Sequence, residues 1–379
     1  MKASNKIITM VLLWSSSISY AEEFCVSDRY ELMQALFIAQ SNNQSDVIKI
    51  KPGDYLSPAN GFRYDGESED YDLSISGGWV DGIGVGSGTA CASQLPHVFI
   101  TNINGENIHR ILWVSIGVNS KLSVKRLSFN KGFLGLDHNE LNRGAGLLVR
   151  TPPISEASIL IENCTFTNNT AYTGAALYVG GLGDGGKLQV VRNNIFTKNS
   201  AARGSAINLL QYNGSGIFFT NNTVVNNDSL QIASVAGLQI STTGSPTNNS
   251  EAFIANNVIW GNKVGNMISD LGLGLSDTTR YLYNNDIGRM VDFGGTLISD
   301  GNVSIPPLLT NAYAPNRNSP LINKGTHPID AENWQLGTLD IYRNNRVRGG
   351  IVDIGAVEIS GAIFINGFEV YSLEIIKEQ

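Results

Sequence analysis

The sequence has few charged residues, few histidines and few cysteines. Of its 379 residues 16% are charged, with 26 basic and 33 acidic side chains, and the formal net charge is −7. An acidic chain is poorly suited to nucleic acid, so we expect no nucleic-acid partner. Four histidines, at positions 97, 109, 138 and 327, offer little material for a zinc site.

Long apolar runs are also missing, and the first 21 residues have the layout of a cleavable signal peptide. Lys2 and Lys6 precede a short apolar run, Ile7 to Trp14, and a serine-rich stretch that ends at Ala21. That run is too short to span a bilayer, which takes about 20 residues, and no later run reaches this length. The sequence therefore predicts a secreted or cell-surface protein without a transmembrane segment.

Three cysteines follow the predicted cleavage point, Cys25, Cys91 and Cys164. An odd number in an exported protein is typical of one disulfide bond and one free thiol. Cys164 lies at a repeat position that needs a small buried side chain, so we expect its thiol to be free. Cys25 and Cys91 are then predicted to form a disulfide bond near the N-terminal end.

Two repeats run in phase through the middle of the chain. One has the pattern Asn-x-x-apolar-x-x-Asn, and its first Asn recurs at spacings of 30, 28, 35 and 28 residues, from Asn163 to Asn284. The other is a Gly-Ala signal, as in Gly144–Val149 and Gly174–Val179. Periods of this length indicate a repeat architecture.

Apolar residues such as Ile161 and Val191 stand at the same position before each Asn motif. Short strands that repeat one register are typical of a β-solenoid interior. The abundance of Gly, Asn, Ser and Thr favours stacked turns over long helices. We therefore predict an all-β fold, a right-handed parallel β-helix (solenoid) of nine to eleven coils.

Asparagine is expected to form a structural ladder inside one bend of this solenoid. An inward amide can satisfy backbone groups at the bend and stack on the identical Asn residues of the coils above and below, at a spacing of about 4.8 Å. The predicted ladder consists of Asn163, Asn193, Asn221 and Asn256.

The two ends of the solenoid are predicted to be covered. Apolar residues at helical spacing in Tyr30–Ala39 indicate a short N-terminal capping helix. Four charged residues near the other end are expected to form charge pairs that seal the last coil: Asp340, Arg346, Asp353 and Glu358. The predicted divisions are 1–21 (signal peptide), 22–45 (N-terminal cap), 46–359 (parallel β-helix) and 360–379 (C-terminal tail).

Parts of the sequence resemble known families of exported proteins. Phe166–Asn169 and Gly174–Leu177 are similar to the repeats of polymorphic outer-membrane proteins, which are surface adhesins. Ser319–Gly325, Asp340–Arg346 and Val352–Glu358 resemble the closing signature of choice-of-anchor Q β-helix proteins in the pectin-lyase-like superfamily.

The chain departs from that closing signature at Asn323, Arg343 and Val357, where the signature has Asp, Gly and Tyr. The resemblance implies the β-helix fold and export, and it does not imply one activity. Ile363–Glu369 looks like a short C-terminal tail of exported bacterial proteins, with a last capping strand as the alternative.

One loop between repeats is longer than the others and carries titratable residues. Asn169 to Gly174 spans five residues, whereas the matching stretch from Gly132 to Gly144 spans twelve, an insertion of seven. The insertion offers a candidate acid/base or metal site, with a solvated polar loop as the alternative. Its titratable residues are Asp137, His138, Glu140 and Arg143.

A second acidic loop precedes the strand that starts at Leu73. Its carboxylates are candidate ligands for Ca²⁺, the one cofactor that the sequence suggests, although their spacing matches no EF-hand. A solvated loop is again the alternative. The candidates are Asp65, Glu67, Glu69 and Asp70.

Known catalytic patterns are missing from the sequence. It has no Ser-His-Asp spacing, no Cys/His cluster, no dinucleotide fingerprint and no Asp-Asp pair of a polygalacturonase-like hydrolase. We therefore expect a monomeric, non-enzymatic exported protein that binds a glycan or a surface protein in adhesion. The alternative is a polysaccharide lyase that acts on an acidic glycan.

Overall fold

The fold is described from a computed structural model, in which the described residues are 21–82, 90–95, 100–139, 141–152, 155–180, 187–211, 214–231, 235–242, 250–274, 278–292, 294–326, 334–348, 351–359, 363–365 and 368–370. Nearly all of the predicted signal peptide (residues 1–20), the candidate site residue Glu140 and most of the predicted C-terminal tail lie outside these ranges.

The elements of the first coils are β1 (Glu22–Val26), α1 (Arg29–Ala39), β2 (Asp46–Ile50), β3 (Gly53–Leu56), β4 (Phe62–Asp65), β5 (Leu73–Gly77), β6 (Trp79–Val80), β7 (Ser93–Gln94), β8 (Thr101–Asn104), β9 (Leu112–Ser115), β10 (Lys121–Lys125), β11 (Ser128–Asn130) and β12 (Leu147–Arg150).

The middle coils contain β13 (Ser158–Glu162), β14 (Thr165–Thr167), β15 (Thr170–Ala171), β16 (Leu177–Val179), β17 (Leu188–Arg192), β18 (Ile195–Thr197), β19 (Ser200–Ala201), β20 (Ile207–Gln211), β21 (Gly216–Thr220), β22 (Thr223–Val225), β23 (Asp228–Ser229) and β24 (Leu238–Thr242).

The remaining strands are β25 (Glu251–Ala255), β26 (Val258–Trp260), β27 (Lys263–Val264), β28 (Met267–Ile268), β29 (Leu271–Gly274), β30 (Thr279–Tyr283), β31 (Asp286–Ile287), β32 (Met290–Asp292), β33 (Thr296–Asp300), β34 (Ile363–Ile365) and β35 (Phe368–Val370).

Most of these strands stack into three long parallel sheets that form the walls of a right-handed β-helix, so the predicted fold class is confirmed. Sheet A contains β1, β2, β5, β10, β13, β17, β21, β25, β30 and β33. Sheet B contains β3, β8, β11, β14, β18, β22, β26 and β31. Sheet C contains β4, β9, β12, β16, β20, β24, β29 and β32.

The interior is built from side chains that repeat at one register. In sheet A, Val124, Ile161 and Val191 are direct neighbours, and the column continues through the next coils. In sheet B, Phe166 stacks on Phe129 and on Phe196, with ring centroids 4.7 Å apart in both pairs. Burying one such side chain stabilises the fold by about 1.5–3 kcal/mol, and each coil repeats the gain.

The asparagine ladder runs one residue later than predicted. Asn163, Asn193, Asn221 and Asn256 do recur at one bend, but their φ angles of 52 to 56° are left-handed. The amide-to-amide hydrogen bonds instead connect Asn194, Asn222 and Asn257, which follow the last three of them, and Cys164 takes this position after Asn163. Asn222 Nδ2, for example, donates to Asn257 Oδ1 at 3.2 Å and to the Val191 carbonyl at 2.8 Å. Two adjacent asparagines recur at the same spacing, so the spacing does not show which of them points inward. A step of one residue along the chain reverses the direction of the side chain.

A second ladder occupies the next bend. It runs through Asn169, Asn199, Asn227 and Asn262, with amide-to-amide distances of 2.8 to 2.9 Å. It ends at a carboxylate, because Asp270 Oδ1 accepts from the backbone and side-chain nitrogens of Asn262 at 2.7 and 2.8 Å.

The N-terminal end is capped by α1, as the sequence predicts. Asp28 accepts hydrogen bonds from the backbone N–H groups of Tyr30 and Glu31 and so begins the helix. Its buried face, with Leu32 and Leu36, belongs to the core. The solenoid already begins with β1, ahead of the predicted boundary at residue 46, since β1 pairs with β2.

Cys25 and Cys91 form a disulfide bond, which ties β1 to the loop after β6. Cys164 is a free, fully buried thiol, and burial raises its pKa to about 12.

The described residues between 305 and 359 (305–326, 334–348 and 351–359), which were predicted to form the last coils, lie along the flank of the solenoid instead, and we call them the flank segment. Its Leu321 and Ile354 pack on Val225 and Val258 of sheet B. Asparagine side chains that point outward from the first bend bind the backbone of the flank segment. Asn193 Nδ2, for example, donates to the Leu339 carbonyl at 3.0 Å.

The four charged residues therefore do not seal the last coil. Arg346 is fully buried and donates to Glu358 Oε1 at 2.7 Å and to Asn193 Oδ1 at 2.6 Å. The carboxylate of Asp353 accepts hydrogen bonds from the backbone N–H groups of Asn323 and Ile359 instead of from Arg346. The predicted charge pairing is thus right for one pair only, and that pair holds the flank segment.

The last strand of sheet A, β33, is exposed along its whole length. In the C-terminal tail, β34 and β35 form an antiparallel hairpin. No helix in the described part of the chain is long and apolar enough to cross a membrane.

Candidate functional site

The outer face of sheet C carries a group of arginines around two aromatic rings. Arg63 of β4, Trp113 of β9 and Tyr178 of β16 share one outward column, because β4, β9, β12 and β16 pair in register. Arg110 and Arg143 come from the loops before β9 and β12, and Arg150 ends β12. We call this group the arginine cluster: Arg63, Arg110, Arg143 and Arg150 with Trp113 and Tyr178.

Three of these guanidinium groups surround one indole. The Cζ atoms of Arg63, Arg110 and Arg150 lie 4.5, 4.8 and 5.3 Å from the centre of the Trp113 ring. Although Trp113 points away from the core, only 6% of it is exposed, because the arginines cover it. Each cation over an indole is stabilised by about 0.5–2 kcal/mol, which helps to hold like charges together.

Arg110 is the buried member of the cluster. Its Nη2 donates to the carbonyls of Leu141 and Arg143, so it fastens the inserted loop to sheet C. Burial, together with the charges of Arg63 and Arg150, lowers the pKa of Arg110 to about 10. Its Nε has no hydrogen-bond partner among the described residues. The side chain stays charged at neutral pH.

Of the three described candidate residues of the inserted loop, Arg143 contributes to this surface, and the fourth candidate, Glu140, lies outside the described residues. Arg143 Nη1 donates to the Tyr178 hydroxyl at 2.9 Å, and its guanidinium lies 5.2 Å from the ring centre. Asp137 instead accepts from Asn142 Nδ2 at 2.7 Å. His138 meets the ring of Tyr172 edge-on at 5.1 Å.

The carboxylates proposed for Ca²⁺ have separate surroundings. Asp65 pairs with Arg63. Asp70 accepts from the backbone and the side chain of Asn119, and these bonds lower its pKa. Glu69 is nearly buried, and Glu67 is exposed.

Among the described residues, the one group of three or more potential metal ligands is Cys25, Asp81 and Cys91, and both of its sulfurs belong to the disulfide bond. The structure therefore does not gather the predicted Ca²⁺ ligands.

The sequence analysis did not predict that several carboxyl groups are buried. Burial raises the pKa of Asp46 to about 6, with smaller contributions from Glu22 and Glu69. Burial likewise raises the pKa of Asp270 to about 6 and that of Asp286 to about 7. All three are at most 2% exposed, so they are placed for a structural role.

An aromatic column on the outside of sheet A is a less suitable binding surface. Phe218, Phe253 and Tyr281 stack face to face, with centroids 4.9 and 4.4 Å apart. Because the faces of these rings contact one another, the rings present their edges to solvent. A sugar that stacks on aromatic rings needs a free face.

The arginine cluster has the chemistry of an anion-binding surface. A guanidinium group can donate two parallel hydrogen bonds to one carboxylate or sulfate group. Arg63 of the cluster forms an ion pair with Asp65. Sequence reasoning singled out Arg143 alone, because the other members become neighbours only through strand pairing.

Comparison with family models, with curated proteins and with solved structures finds no match to this chain.

Proposed function

We propose that this chain is an exported binding protein whose arginine cluster binds an acidic glycan. The observation that carries the proposal is the gathering of four guanidinium groups on one face of sheet C in a chain whose net charge is −7. Like charges at this separation repel, and a bound carboxylate or sulfate relieves the repulsion.

The exposure of the cluster supports a polymer as the ligand. Arg63 is exposed and Arg150 is half-buried, so two of the arginines around Trp113 are accessible to the same chain of sugars. One exposed ion pair contributes at most about 1 kcal/mol, and measurable affinity therefore needs several contacts at once. A glycan with one negative charge on each sugar supplies them.

A binding role is supported over the lyase alternative by the arginines themselves. A lyase needs a base that removes a proton from the sugar, and it acts most efficiently when its pKa lies near the working pH. Arg110, whose pKa is lowered to about 10, is bonded to two loop carbonyls and stays protonated at neutral pH.

Calorimetric titration with octamers of galacturonate, mannuronate and chondroitin sulfate tests the proposal, with a neutral dextran as the control ligand. We expect at least one acidic octamer to bind and dextran not to bind, with an affinity that falls as salt screens the charges. Arg150→Gln should weaken binding about tenfold, a loss of about 1.4 kcal/mol.

Arg317→Gln is the matched control, because Arg317 is an exposed arginine of the flank segment. Equal affinity of wild type and Arg150→Gln for every acidic octamer would refute the proposal. An absorbance increase from unsaturated sugar in the same mixtures would favour the lyase instead.

A further inference from the structure

A groove lies beside the arginine cluster, between α1 and the start of β4. Its volume is about 510 Å³, which falls in the range of about 300–1,000 Å³ typical of ligand pockets. The helix contributes Tyr30, Met33 and Phe37, and the opposite wall includes Arg63 and Asp65.

The helix wall of this groove is an apolar face that the fold leaves open. Tyr30, Met33 and Phe37 are 72%, 40% and 68% exposed, while Leu32 and Leu36 on the other side of α1 are buried. Residues three, four or seven apart lie on one helix face, so the three open side chains form a single strip.

The rings in this strip have free faces, unlike those on sheet A. The Arg29 guanidinium lies 5.5 Å from the centre of the Tyr30 ring and covers one face of it. No aromatic ring in the described part of the chain stacks on Phe37. Flat apolar surfaces of this kind match the C–H faces of sugar rings.

The groove is continuous with the arginine cluster through Arg63. This side chain lines the groove and also lies 4.5 Å over the Trp113 ring. The two walls are held together at this point, because the Asp65 backbone N–H donates to Gln40 Oε1 at 3.1 Å. A chain of sugars that lies along the arginines therefore meets the groove next.

We propose that the groove binds the following sugars of the same acidic glycan, with Tyr30 and Phe37 stacking on the sugar rings and Arg63 holding the charged group between both parts. The inference rests on the proposed function and adds a second part to its site. The Gln34 amide and Gln40 Nε2 line the groove and offer hydrogen bonds to sugar hydroxyls, while Gln40 Oε1 accepts from Asp65.

Chain length is the variable that tests this inference. Disaccharides (sugar dimers) and octasaccharides (sugar octamers) of galacturonate, mannuronate and chondroitin sulfate are titrated into the wild type and into the double variant Tyr30→Ala/Phe37→Ala. A dimer can occupy the arginine cluster alone, whereas an octamer also reaches the groove. We expect the double variant to bind octamers about tenfold more weakly and dimers as the wild type does.

Leu230→Ala is the control, because Leu230 is 63% exposed and lies on the turn after β23. Circular dichroism and the melting temperature establish that each variant is folded. Unchanged octamer affinity in the double variant refutes the proposal that the groove binds the glycan, and it does not affect the proposal that the arginine cluster does. If no acidic octamer or dimer binds the wild type, both proposals fail.

Sedimentation measurements on the same samples identify the competing occupant. If the wild-type protein sediments as a dimer and the double variant as a monomer, the strip contacts a second copy of the chain. That result would overturn the inference.

Discussion

The asparagine ladders and the arginine cluster are two polar regions of one solenoid that differ in how their polar groups are paired. Within the second ladder, the Asn227 amide donates to the Phe196 carbonyl and to Asn262 Oδ1 while its oxygen accepts from Asn199. On the outer face of sheet C, Arg110 stands beside two other arginines and its Nε has no partner in the described part of the chain.

The difference separates stability from binding. A polar group with its hydrogen bonds satisfied inside the core stabilises one fold, and its loss leaves partners unsatisfied. Positive charges gathered at the surface gain little for stability and attract an anion. Changes in the buried polar network should therefore lower stability and leave binding by the folded protein intact, and changes of the more accessible cluster residues Arg63 and Arg150 should do the opposite.

The largest loss of stability is expected for Arg346→Met. The substitution leaves the Glu358 carboxylate, which is 4% exposed, without its guanidinium partner. Breaking one side of a buried ion pair costs about 3–5 kcal/mol. Urea unfolding measures the change.

Arg348→Ala is the control for this variant, because Arg348 is an exposed arginine of the same segment. If Arg346→Met kept its stability and lost glycan binding, Arg346 would belong to a binding site and the comparison would fail.

A pH-dependent change of intermediate size is expected at Asp286. Burial raises its pKa from the ordinary value of 3.8 to about 7, and its Oδ2 has no partner among the described residues. Between these two values the folded protein holds a proton that the unfolded chain releases. Its contribution to stability is therefore complete below the lower value and is lost as the pH rises to about 7.

Asp286→Asn should remove this dependence and raise the stability at pH about 8, at roughly 1.4 kcal/mol for each unit of pKa shift removed. Urea unfolding across the pH range measures it, with the exposed Asp228→Asn as the control. A variant with the wild-type slope would show that Asp286 is ionised in the folded state.

A further loss of stability is expected for Asn227→Ala in the middle of the second ladder. The substitution removes the partner of the Phe196 carbonyl and of the Asn199 backbone N–H, both inside the solenoid. Each buried group left unsatisfied costs about 1–3 kcal/mol. Thermal unfolding gives the loss.

Asn226→Gly provides the comparison, because Asn226 is exposed and its φ of 56° suits glycine. An equal loss in both variants would mean that the ladder amide adds nothing beyond the backbone geometry of the bend.

Periodicity made the fold predictable. The apolar positions represented by Ile161 and Val191 repeat with the coil, and strand pairing places them as direct neighbours. The same signal located the capping helix and the bend that holds Asn163. It did not predict that Asn193 points away from the ladder while Asn194 belongs to it, because these adjacent asparagines are the same residue type and differ in φ.

The candidate site was predictable only in part. The inserted loop stood out by its length and contains Arg143. Arg63, Arg110 and Arg150 are separated by tens of residues and match no motif, so nothing local marks them as a group. The predicted acid/base and Ca²⁺ groups were chosen for closeness in sequence, and residues on an exposed loop can be close in sequence while their side chains have different partners.

The sequence by itself determined the solenoid, since a repeated apolar register can be buried only by stacking coil on coil. Tertiary structure alone decided the position of the flank segment, because Arg346 finds its partner Asn193 at a separation of 153 residues. It also decided the arginine cluster, because the outward positions of successive strands become neighbours through pairing while no packing requirement makes their residues repeat.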